Sequence, residues 1–356
     1  MGCAELTPKL LLEEQQRLQA WLDQQGLPGQ GLPLDVEFIS GGASNEAWLL
    51  RRGEFQFVVR KPPRLIPEGR NESMVREFRV LSALRDSDVP HPRVLALCTD
   101  PQVLGSNFYV MEYVRGWSCM NQAQWPSPFD TDLEARRGLA WELIDGIAKL
   151  SRVDWQAVGL EGFGRPLGFH ERQVDRWLGL LAKFQFRPLP GLQEAADWLR
   201  HYRPRHYVPG ILHGDYQFAN VMFAHGAPAR LAAIVDWEMA TVGDPLLDLG
   251  WVLMAWPDPD EDREHAGYVD YTGMPTRAEL AERYARVSGR PVDELDYYVI
   301  LARFKMAVVL EQGYAAWVQG RAGNPKMAFF GEVVLTMARK AAELANTTPL
   351  GRKRWI

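Results

Sequence analysis

Three oxygen-bearing side chains stand at spacings that could support metal-dependent chemistry. Asp215 and Asn220 lie five positions apart in the segment L-H-G-D-Y-Q-F-A-N, and Asp236 directly follows the apolar run 231–235. A carboxylate can orient and deprotonate a hydroxyl group, and Mg²⁺ prefers oxygen ligands such as carboxylates and amides. Phosphoryl transfer from ATP needs both a base and oxygen ligands for the metal, so this set is suited to that reaction.

A glycine turn could supply the third requirement of that reaction, which is a set of backbone N–H groups around phosphate oxygens. Gly41 and Gly42 lie in the segment S-G-G-A-S-N, which also contains Ser44 and Asn45. Glycine lets the backbone approach a ligand closely because it has no Cβ atom. A glycine pair alone is more often only a hairpin turn. The interpretation therefore depends on the turn and the acidic segments occurring in one chain.

The elements that must position these residues change in character along the chain. Strands are predicted over 36–39, 47–50, 55–60, 94–97 and 107–113, and helices over 10–26 and 75–84. After Gly116 the apolar residues recur mostly at helical spacing. The sequence therefore predicts an α+β fold, with a small antiparallel β-sheet lobe over residues 1–113 and a larger, mostly α-helical lobe over residues 114–356.

Together, these motifs resemble the aminoglycoside phosphotransferase-like family of the protein-kinase-like superfamily. The family pattern includes the H-G-D-x-x-x-x-N loop, the strand end I-V-D-W-E, and the segment G-D-P-L-L-D-L at 243–249. The stretches at 60–63 and 171–177 are similar to a subgroup that includes the kinase-like domain of acyl-CoA dehydrogenase fusion proteins. The resemblance extends from about residue 34 to residue 344 and implies a bilobed protein-kinase-like fold.

The resemblance also implies a role for each candidate residue. Asp215 would be the catalytic base, and His213 would brace its loop. Asn220 and Asp236 would hold Mg²⁺. The residues implied to bind ATP are Gly41, Gly42, Ser44 and Asn45 in the turn, Arg60 with its partner Glu77 near the phosphates, and Glu112 and Val114 near the adenine. Asp244 and Asp248 are interpreted as structural residues that orient loops around the following helix.

The cation at the end of the third predicted strand departs from the protein-kinase pattern, in which a lysine stands there. Arg60 and Lys61 are adjacent, and side chains alternate between the two faces of a strand. Only one of them can therefore point at the phosphates. The resemblance implies that Arg60 takes the place of this lysine, and a guanidinium can still clamp phosphate through two donors. Arg60 is therefore favoured, and Lys61 stays open as the alternative.

Charge and cysteine content exclude several classes of protein. Lys and Arg number 40 and Asp and Glu 45, and the net charge of −5 provides no basic surface for nucleic acid or anionic lipid. The three cysteines are wrongly spaced for a disulfide framework or a zinc site, and they fit a reduced cytoplasm. No apolar run is long enough to cross a membrane. We therefore expect a cytoplasmic protein that binds neither nucleic acid nor a membrane, and the family resemblance implies a small-molecule partner.

The expected activity is ATP- and Mg²⁺-dependent transfer of the γ-phosphate to a hydroxyl group of a small molecule. The subgroup resemblance favours a hydroxyacyl-type or lipid-derived acceptor over an aminoglycoside or macrolide antibiotic. An aminoglycoside kinase is expected to carry a denser acidic surface than a net charge of −5 over 356 residues indicates. The acidic segment 256–262 is a weaker candidate for binding a cationic substrate.

Two alternatives to a small-molecule kinase stay open. One is a catalytically inactive kinase-like protein that binds a ligand or acts as a scaffold, against which the intact set Asp215, Asn220 and Asp236 argues. The other is a protein kinase. It is disfavoured because the short distance between Asp236 and Gly243 leaves no room for a long activation loop.

Overall fold

The computed structural model describes residues 9–41, 45–64, 69–120, 125–257, 269–321 and 324–351. The chain divides into two compact units. The first unit comprises Met1–Gly116 and Ala232–Ala240, and the second comprises Trp117–Leu231 and Thr241–Ile356. The division after Gly116 falls close to the predicted boundary at residue 113.

The segment 232–240 belongs to the first unit, which the linear division into 1–113 and 114–356 does not include. Hydrogen bonds between residues far apart in the sequence explain why the segment 232–240 belongs to the first unit. The N–H of Ile234 donates to the carbonyl of Pro90 (2.9 Å), and the guanidinium of Arg76 donates to the carbonyl of Ala240 (3.3 Å). Asp236 is therefore carried by the same unit as the predicted glycine turn.

A five-stranded antiparallel sheet forms the centre of the first unit. Its strands are β1 (Asp35–Gly41), β2 (Glu46–Arg52), β3 (Phe55–Lys61), β4 (Val94–Cys98) and β5 (Phe108–Glu112). They are arranged in the order β1-β2-β3-β5-β4, and every neighbouring pair is antiparallel. The prediction of five short antiparallel strands is confirmed.

Helices accompany this sheet: α1 (Leu12–Gln24), α2 (Arg70–Ala83) and the single turn α3 (Pro101–Leu104). The apolar side of α1 packs into a core with the sheet, where the rings of Trp21 and Phe108 meet edge to face with centroids 5.0 Å apart. Helix α2 begins before its predicted start at Val75, because Gly69 adopts a left-handed conformation (φ 80°) that turns the chain into the helix. Glu77 lies within the helix, as predicted, and is among its buried residues.

The second unit is mostly helical, as predicted. Its helices are α4 (Leu133–Arg152), α5 (Phe169–Leu181), α6 (Leu192–His201), α7 (Leu246–Met254), α8 (Arg277–Ser288), α9 (Leu295–Val318) and α10 (Lys326–Thr347). Helix α9 is buried along most of its length and packs against α7 and α10. None of the helices within the described ranges combines the length and the apolar character needed to cross a bilayer.

Short strands frame the segment that carries the predicted catalytic residues. They are β6 (Gly210–Leu212), β7 (Val221–Phe223), β8 (Leu231–Ile234) and β9 (Thr241–Gly243). Strand β6 pairs antiparallel with β9, and the loop 213–220 connects β6 to β7. The loop is fastened to α4, since the hydroxyl of the buried Tyr216 donates to the carbonyl of Leu143 (2.7 Å).

Candidate active site

A cluster of charged side chains joins β3, α2 and the segment after β8 in the first unit. Arg60 Nε donates to Glu77 Oε2 (2.9 Å), and Arg60 Nη2 donates to Asp236 Oδ1 (2.5 Å). The hydroxyl of Tyr109 on β5 donates to the same Glu77 oxygen (2.9 Å). The guanidinium of Arg60 is therefore held between two carboxylates, and the more deeply buried one, Glu77, also accepts a hydrogen bond from a phenol.

Burial and charge act in opposite directions on this cluster. Burial by itself would lower the pKa of the Arg60 guanidinium, but the charges of Asp236 and Glu77 outweigh it and raise that pKa. Burial raises the pKa of the Glu77 carboxyl, and the attraction of Arg60 offsets only part of the rise. Arg60 is therefore a permanent cation at this place.

Arg60 and Lys61 point to different surroundings, as neighbours on a strand must. Lys61 is buried, and its Nζ donates to the carbonyl of Pro62 (2.7 Å) and to Glu46 Oε2 (3.3 Å). Arg60 is the residue of this pair that contacts Glu77 and Asp236. Its contact with phosphate stays a prediction.

Asp236 has an unusual backbone conformation. With φ at 66° it is the one non-glycine residue of positive φ in the described ranges, a conformation that costs on the order of 1–3 kcal/mol. The strand end before it is fixed by Trp237, whose indole N–H donates to the carbonyl of Ile234 (2.9 Å). Its carboxylate is 36% exposed, and Oδ2 accepts no hydrogen bond from the described residues. That oxygen is available to a cation.

The predicted glycine turn is described only in part. Gly41 ends β1, where it pairs with Glu46 on β2. Gly42 and Ser44 lie outside the described residues, as does most of the acidic segment 256–262. The prediction that this turn surrounds phosphate oxygens therefore stays a prediction.

Asn45, at the end of the turn, is buried and faces the charged cluster. Its Nδ2 donates to Glu238 Oε2 (3.2 Å) and, at a longer distance, to Glu77 Oε1 (3.4 Å). Glu238 also accepts from Arg70 Nη1 (2.7 Å). The side chain of Asn45 thus connects the turn to α2. Sequence reasoning missed Arg70 and Glu238, because nothing local marks residues so far apart as partners.

The predicted adenine contacts lie where the sheet ends. Glu112 is the last residue of β5, and Val114 belongs to the extended segment that follows it. The N–H of Glu112 donates to the carbonyl of Arg93 (2.9 Å). Contact of either residue with adenine stays a prediction.

In the second unit, side-chain amides fix the carboxylate of Asp215. Gln217 Nε2 donates to Asp215 Oδ1 (2.8 Å), and Asn220 Nδ2 donates to both the main-chain oxygen and Oδ2 of Asp215 (2.8 Å each). The amide oxygen of Asn220 accepts no hydrogen bond from the part of the chain that is described. The five-residue spacing thus brings a carboxylate and a free amide oxygen together. Gln217 was not among the predicted site residues, although its position two residues after Asp215 could have indicated it.

The backbone of this loop is anchored by Asp248 on α7. The N–H of His213 donates to Asp248 Oδ2 (2.6 Å), and the N–H of Gly214 donates to Oδ1 (2.8 Å). Burial raises the pKa of Asp248 to about 6, although these two hydrogen bonds act against the rise. His213 is buried, and its Nδ1 accepts from the N–H of Asp215 (3.4 Å). Asp248 thus fastens two consecutive peptide N–H groups of the loop to α7, and the bracing role of His213 stays a prediction.

Asp244, the other carboxylate interpreted as structural, belongs to a separate buried network. Its Oδ1 accepts from the N–H of Leu246 at the start of α7 (3.1 Å). Its Oδ2 accepts from the hydroxyl of Tyr298 (2.5 Å) and contacts His170 Nε2 (2.9 Å). Asp244 thus ties α7 to α9 and α5.

An apolar cavity of about 480 Å³ adjoins the loop within the second unit. Gln217 and Phe218 contribute to its wall from the loop. Other lining residues are Trp251, Met254, Met306, Leu310, Val333 and Met337. Glu332 is the one carboxylate among the described lining residues. The volume suits a small molecule, and Gln217 connects this space to Asp215.

A comparison with known protein families gives the class to which this chain belongs. Residues 35–283 match the phosphotransferase enzyme family APH. The chain belongs to this family.

The chain is similar to parts of longer proteins. It is 31% identical over 323 residues to acyl-CoA dehydrogenase family member 11 of Gallus gallus, with 88% of this chain and 40% of that protein covered. The chain spans less than half the length of the curated relatives it matches.

Solved structures agree with the fold. A candidate aminoglycoside phosphotransferase from Ralstonia eutropha is 30% identical, with a TM-score of 0.80 and coverage of 93% of this chain and 98% of that one. A thermostable mutant of the aminoglycoside phosphotransferase APH(4)-Ia, in complex with AMP-PNP and hygromycin B, is 16% identical with a TM-score of 0.63, covering 95% and 100%. The predicted α+β, protein-kinase-like fold is confirmed.

Proposed function

We propose that this chain transfers the γ-phosphate of ATP, with Mg²⁺, to a hydroxyl group of a hydroxyacyl-type or lipid-derived small molecule. The observation that carries the proposal is the setting of Asp215. Its carboxylate is held by Gln217, which also lines the apolar cavity. A fixed carboxylate beside a cavity of substrate size is suited to accept the proton of a bound hydroxyl group.

Asp215 acts as the base in this proposal. As the acceptor oxygen attacks the γ-phosphorus in line, the hydroxyl proton passes to the Asp215 carboxylate and the bond from phosphorus to the ADP oxygen breaks. The amides of Gln217 and Asn220 keep the carboxylate oriented, so little reorganisation is needed during the reaction.

Asn220 and Asp236 are proposed to hold Mg²⁺ together with the phosphates of the nucleotide. Asn220 Oδ1 and Asp236 Oδ2 fit this role, since neither accepts a hydrogen bond from the described residues. Mg²⁺ is commonly held by one or two protein oxygens and substrate phosphates. Bound Mg²⁺ would neutralise charge on the transferring phosphate.

The first unit is proposed to bind the rest of the nucleotide. Arg60, kept charged by Glu77, would contact the phosphates as a fixed cation. The complete set proposed for ATP is Gly41, Gly42, Ser44, Asn45, Arg60, Glu77, Glu112 and Val114. AMP-PNP in the complex of APH(4)-Ia supports an adenine nucleotide as the donor.

The cavity supports an acceptor with an apolar part. An aminoglycoside is a polycation, and its binding would need several carboxylates, whereas Glu332 is the one carboxylate among the described lining residues. An acyl chain instead removes apolar surface from water when it enters such a space. Similarity to acyl-CoA dehydrogenase family members adds support for an acyl-type acceptor.

Calorimetric titration with Mg·ATP tests the nucleotide site. The wild-type chain should bind only when Mg²⁺ is present, and Asp236→Asn should weaken binding. Asp215→Asn should leave binding unchanged but lower kcat by about 10²- to 10⁴-fold. Asp175→Asn, on the exposed surface of α5, is the matched control and should change neither nucleotide binding nor kcat. Absence of nucleotide binding in the wild type would overturn the proposal and favour a kinase-like protein that is catalytically inactive.

An acceptor comparison tests the substrate class. With Mg·ATP, hydroxyoctanoyl-CoA should be phosphorylated and kanamycin should not. Thr336→Phe, which fills part of the cavity, should raise KM for the acyl acceptor and leave KM for ATP unchanged. Phosphorylation of kanamycin with no activity on hydroxyacyl compounds would contradict the proposed acceptor class.

A further inference from the structure

A buried lysine contacts the catalytic loop and has no part in the chemistry proposed above. Lys305 lies on α9 and is 4% exposed, and its Nζ donates to the carbonyl oxygen of Gly214. That carbonyl belongs to the peptide group that leads into Asp215. The ammonium group also lies over the rings of Trp251 and Trp177, at 4.3 Å and 5.5 Å from their centroids. The two indoles replace part of the water that the charge gives up on burial.

Gly214 is consequently held on both of its peptide groups. Its N–H donates to Asp248 Oδ1 (2.8 Å), and its carbonyl accepts from Lys305. Its φ of 84° lies in the left-handed region, which glycine visits easily and leaves just as easily. A glycine placed directly before the catalytic carboxylate therefore needs an external restraint, and two buried groups of opposite charge provide one.

We propose that Lys305 is a positioning residue, which holds the peptide group between Gly214 and Asp215 and thereby fixes the direction of the Asp215 carboxylate. This inference rests on the proposed function of Asp215 as the base. Without the ammonium group the carbonyl loses its donor, and the peptide group keeps only the long hydrogen bond from the Asp215 N–H to His213 Nδ1 (3.4 Å), which restrains its rotation less. A small displacement of a reacting group is enough to lower turnover on the order of 10- to 100-fold.

The restraint on Gly214 depends on pH because burial shifts the pKa values of both charged groups, Asp248 and Lys305, towards neutral pH. Burial lowers the pKa of Lys305 to about 8, although Asp215 and Asp248 act to raise it, and Arg176 on α5 lowers it further. The raised pKa of Asp248 lies at about 6. Below about pH 6 Asp248 gains a proton, and above about pH 8 Lys305 loses one. The Asp248 carboxylate and the Lys305 ammonium group are therefore both charged only between about pH 6 and pH 8. Hydrogen bonds in which the donor or acceptor is charged are stronger than those between neutral groups.

Two substitutions of Lys305 test the proposal, with a matched control on the same helix. Lys305→Met keeps the length of the side chain and removes the charge. Lys305→Arg keeps a charge that does not titrate below about pH 12. Arg303→Met removes another buried cation, which donates to the carbonyls of Lys340 and Met254. For each variant we would measure hydrogen exchange of segment 210–220 by mass spectrometry, and kcat against pH with Mg·ATP and hydroxyoctanoyl-CoA.

Lys305→Met should speed exchange in segment 210–220 and lower kcat on the order of 10- to 100-fold with KM for ATP unchanged. In the wild type kcat should fall as the pH rises through about 8, and Lys305→Arg should move that fall to higher pH. The control Arg303→Met should leave the exchange of this segment unchanged.

The exchange measurement separates this proposal from the proposed function. If the wild type shows no turnover but Lys305→Met still loosens segment 210–220, the restraint is supported and the assignment of the reaction fails. Unchanged exchange in Lys305→Met would overturn the restraint, whatever the turnover. Equal loosening in Arg303→Met would also overturn it, because the effect would then be a general loss of stability.

Discussion

Arg60 balances the negative charges of two carboxylates that differ in their exposure to solvent. Glu77 is 1% exposed and Asp236 is 36% exposed. If Arg60 were removed, water could solvate the charge of Asp236 but not that of Glu77. Breaking a buried ion pair by removing one partner costs about 3–5 kcal/mol, because the remaining charge is left unpaired. The same residue can therefore affect the stability of the first unit through Glu77 and nucleotide binding through the neighbourhood of Asp236.

This dual position makes a prediction for the two adjacent cations of β3. Arg60→Met should abolish measurable Mg·ATP binding and reduce the free energy of unfolding by about 3 kcal/mol. The double variant Arg60→Met/Glu77→Gln should recover part of the stability without recovering binding, since the buried charge is gone but the cation is still missing. Calorimetry and urea unfolding measure the two effects separately.

Lys61→Met is the matched control for that experiment. Lys61 donates to Glu46 and to the carbonyl of Pro62, so its loss should affect stability more than nucleotide affinity. If Lys61→Met were the variant that lost nucleotide binding, the assignment of Arg60 to the phosphates would be wrong.

At the scale of elements, the close packing of α7 and α9 supports both residues that anchor the loop 213–220. Helix α7 carries Asp248 and helix α9 carries Lys305. The helices approach at Gly250, where a Cβ atom would lie 2.6 Å from the main-chain carbonyl of Tyr298. Because that neighbour is backbone, it cannot move aside as a side chain could. The two helices can thus approach each other this closely only because glycine has no side chain at position 250.

Gly250→Ala should therefore reduce the free energy of unfolding by about 1–3 kcal/mol, the usual cost of overpacking, and lower kcat as well. Gly179→Ala is the matched control, because it lies in α5 with nothing within 4 Å of the added Cβ. It should stabilise the protein by about 0.5–1 kcal/mol through helix propensity alone. Urea unfolding checks both, and an equal response of the two variants would contradict the packing argument.

For the whole molecule, the nucleotide and the metal should bind as one ligand. Asn220 belongs to the second unit and Asp236 to the first. In the proposed function each would offer one oxygen to Mg²⁺, which is too few to retain the ion without the phosphates of the nucleotide. Linkage then requires that Mg·ATP stabilises the folded state while Mg²⁺ alone does so only weakly.

At 100 times its dissociation constant, Mg·ATP should raise the free energy of unfolding by about 2.7 kcal/mol. Addition of EDTA should remove this gain, and it should leave the unfolding temperature of the nucleotide-free protein unchanged. Differential scanning calorimetry measures both effects. A lower unfolding temperature in EDTA without nucleotide would indicate a structural metal and would contradict this prediction.

The parts of the site that could be predicted from sequence are those that depend on short spacings. Asp215 and Asn220 lie in one loop, so their type and separation are enough to bring their side chains together. The strands of the first unit could be predicted for the same reason, since alternation of apolar residues is local. By contrast, the bonds from Asp248 and Lys305 to the loop span 34 and 91 residues, and no local pattern marks them.

The sequence by itself determined the family and the order of the elements, because these depend on residue type and local spacing. The catalytic and metal-binding roles of Asp215, Asn220 and Asp236 stay predictions. Only the tertiary structure decided that Arg60, not Lys61, contacts Glu77 and Asp236, and that the segment around Asp236 joins the first unit. It also decided that an apolar cavity lies beside Gln217. The physical reason is that the direction of a side chain and the space around it are set by which distant elements pack together.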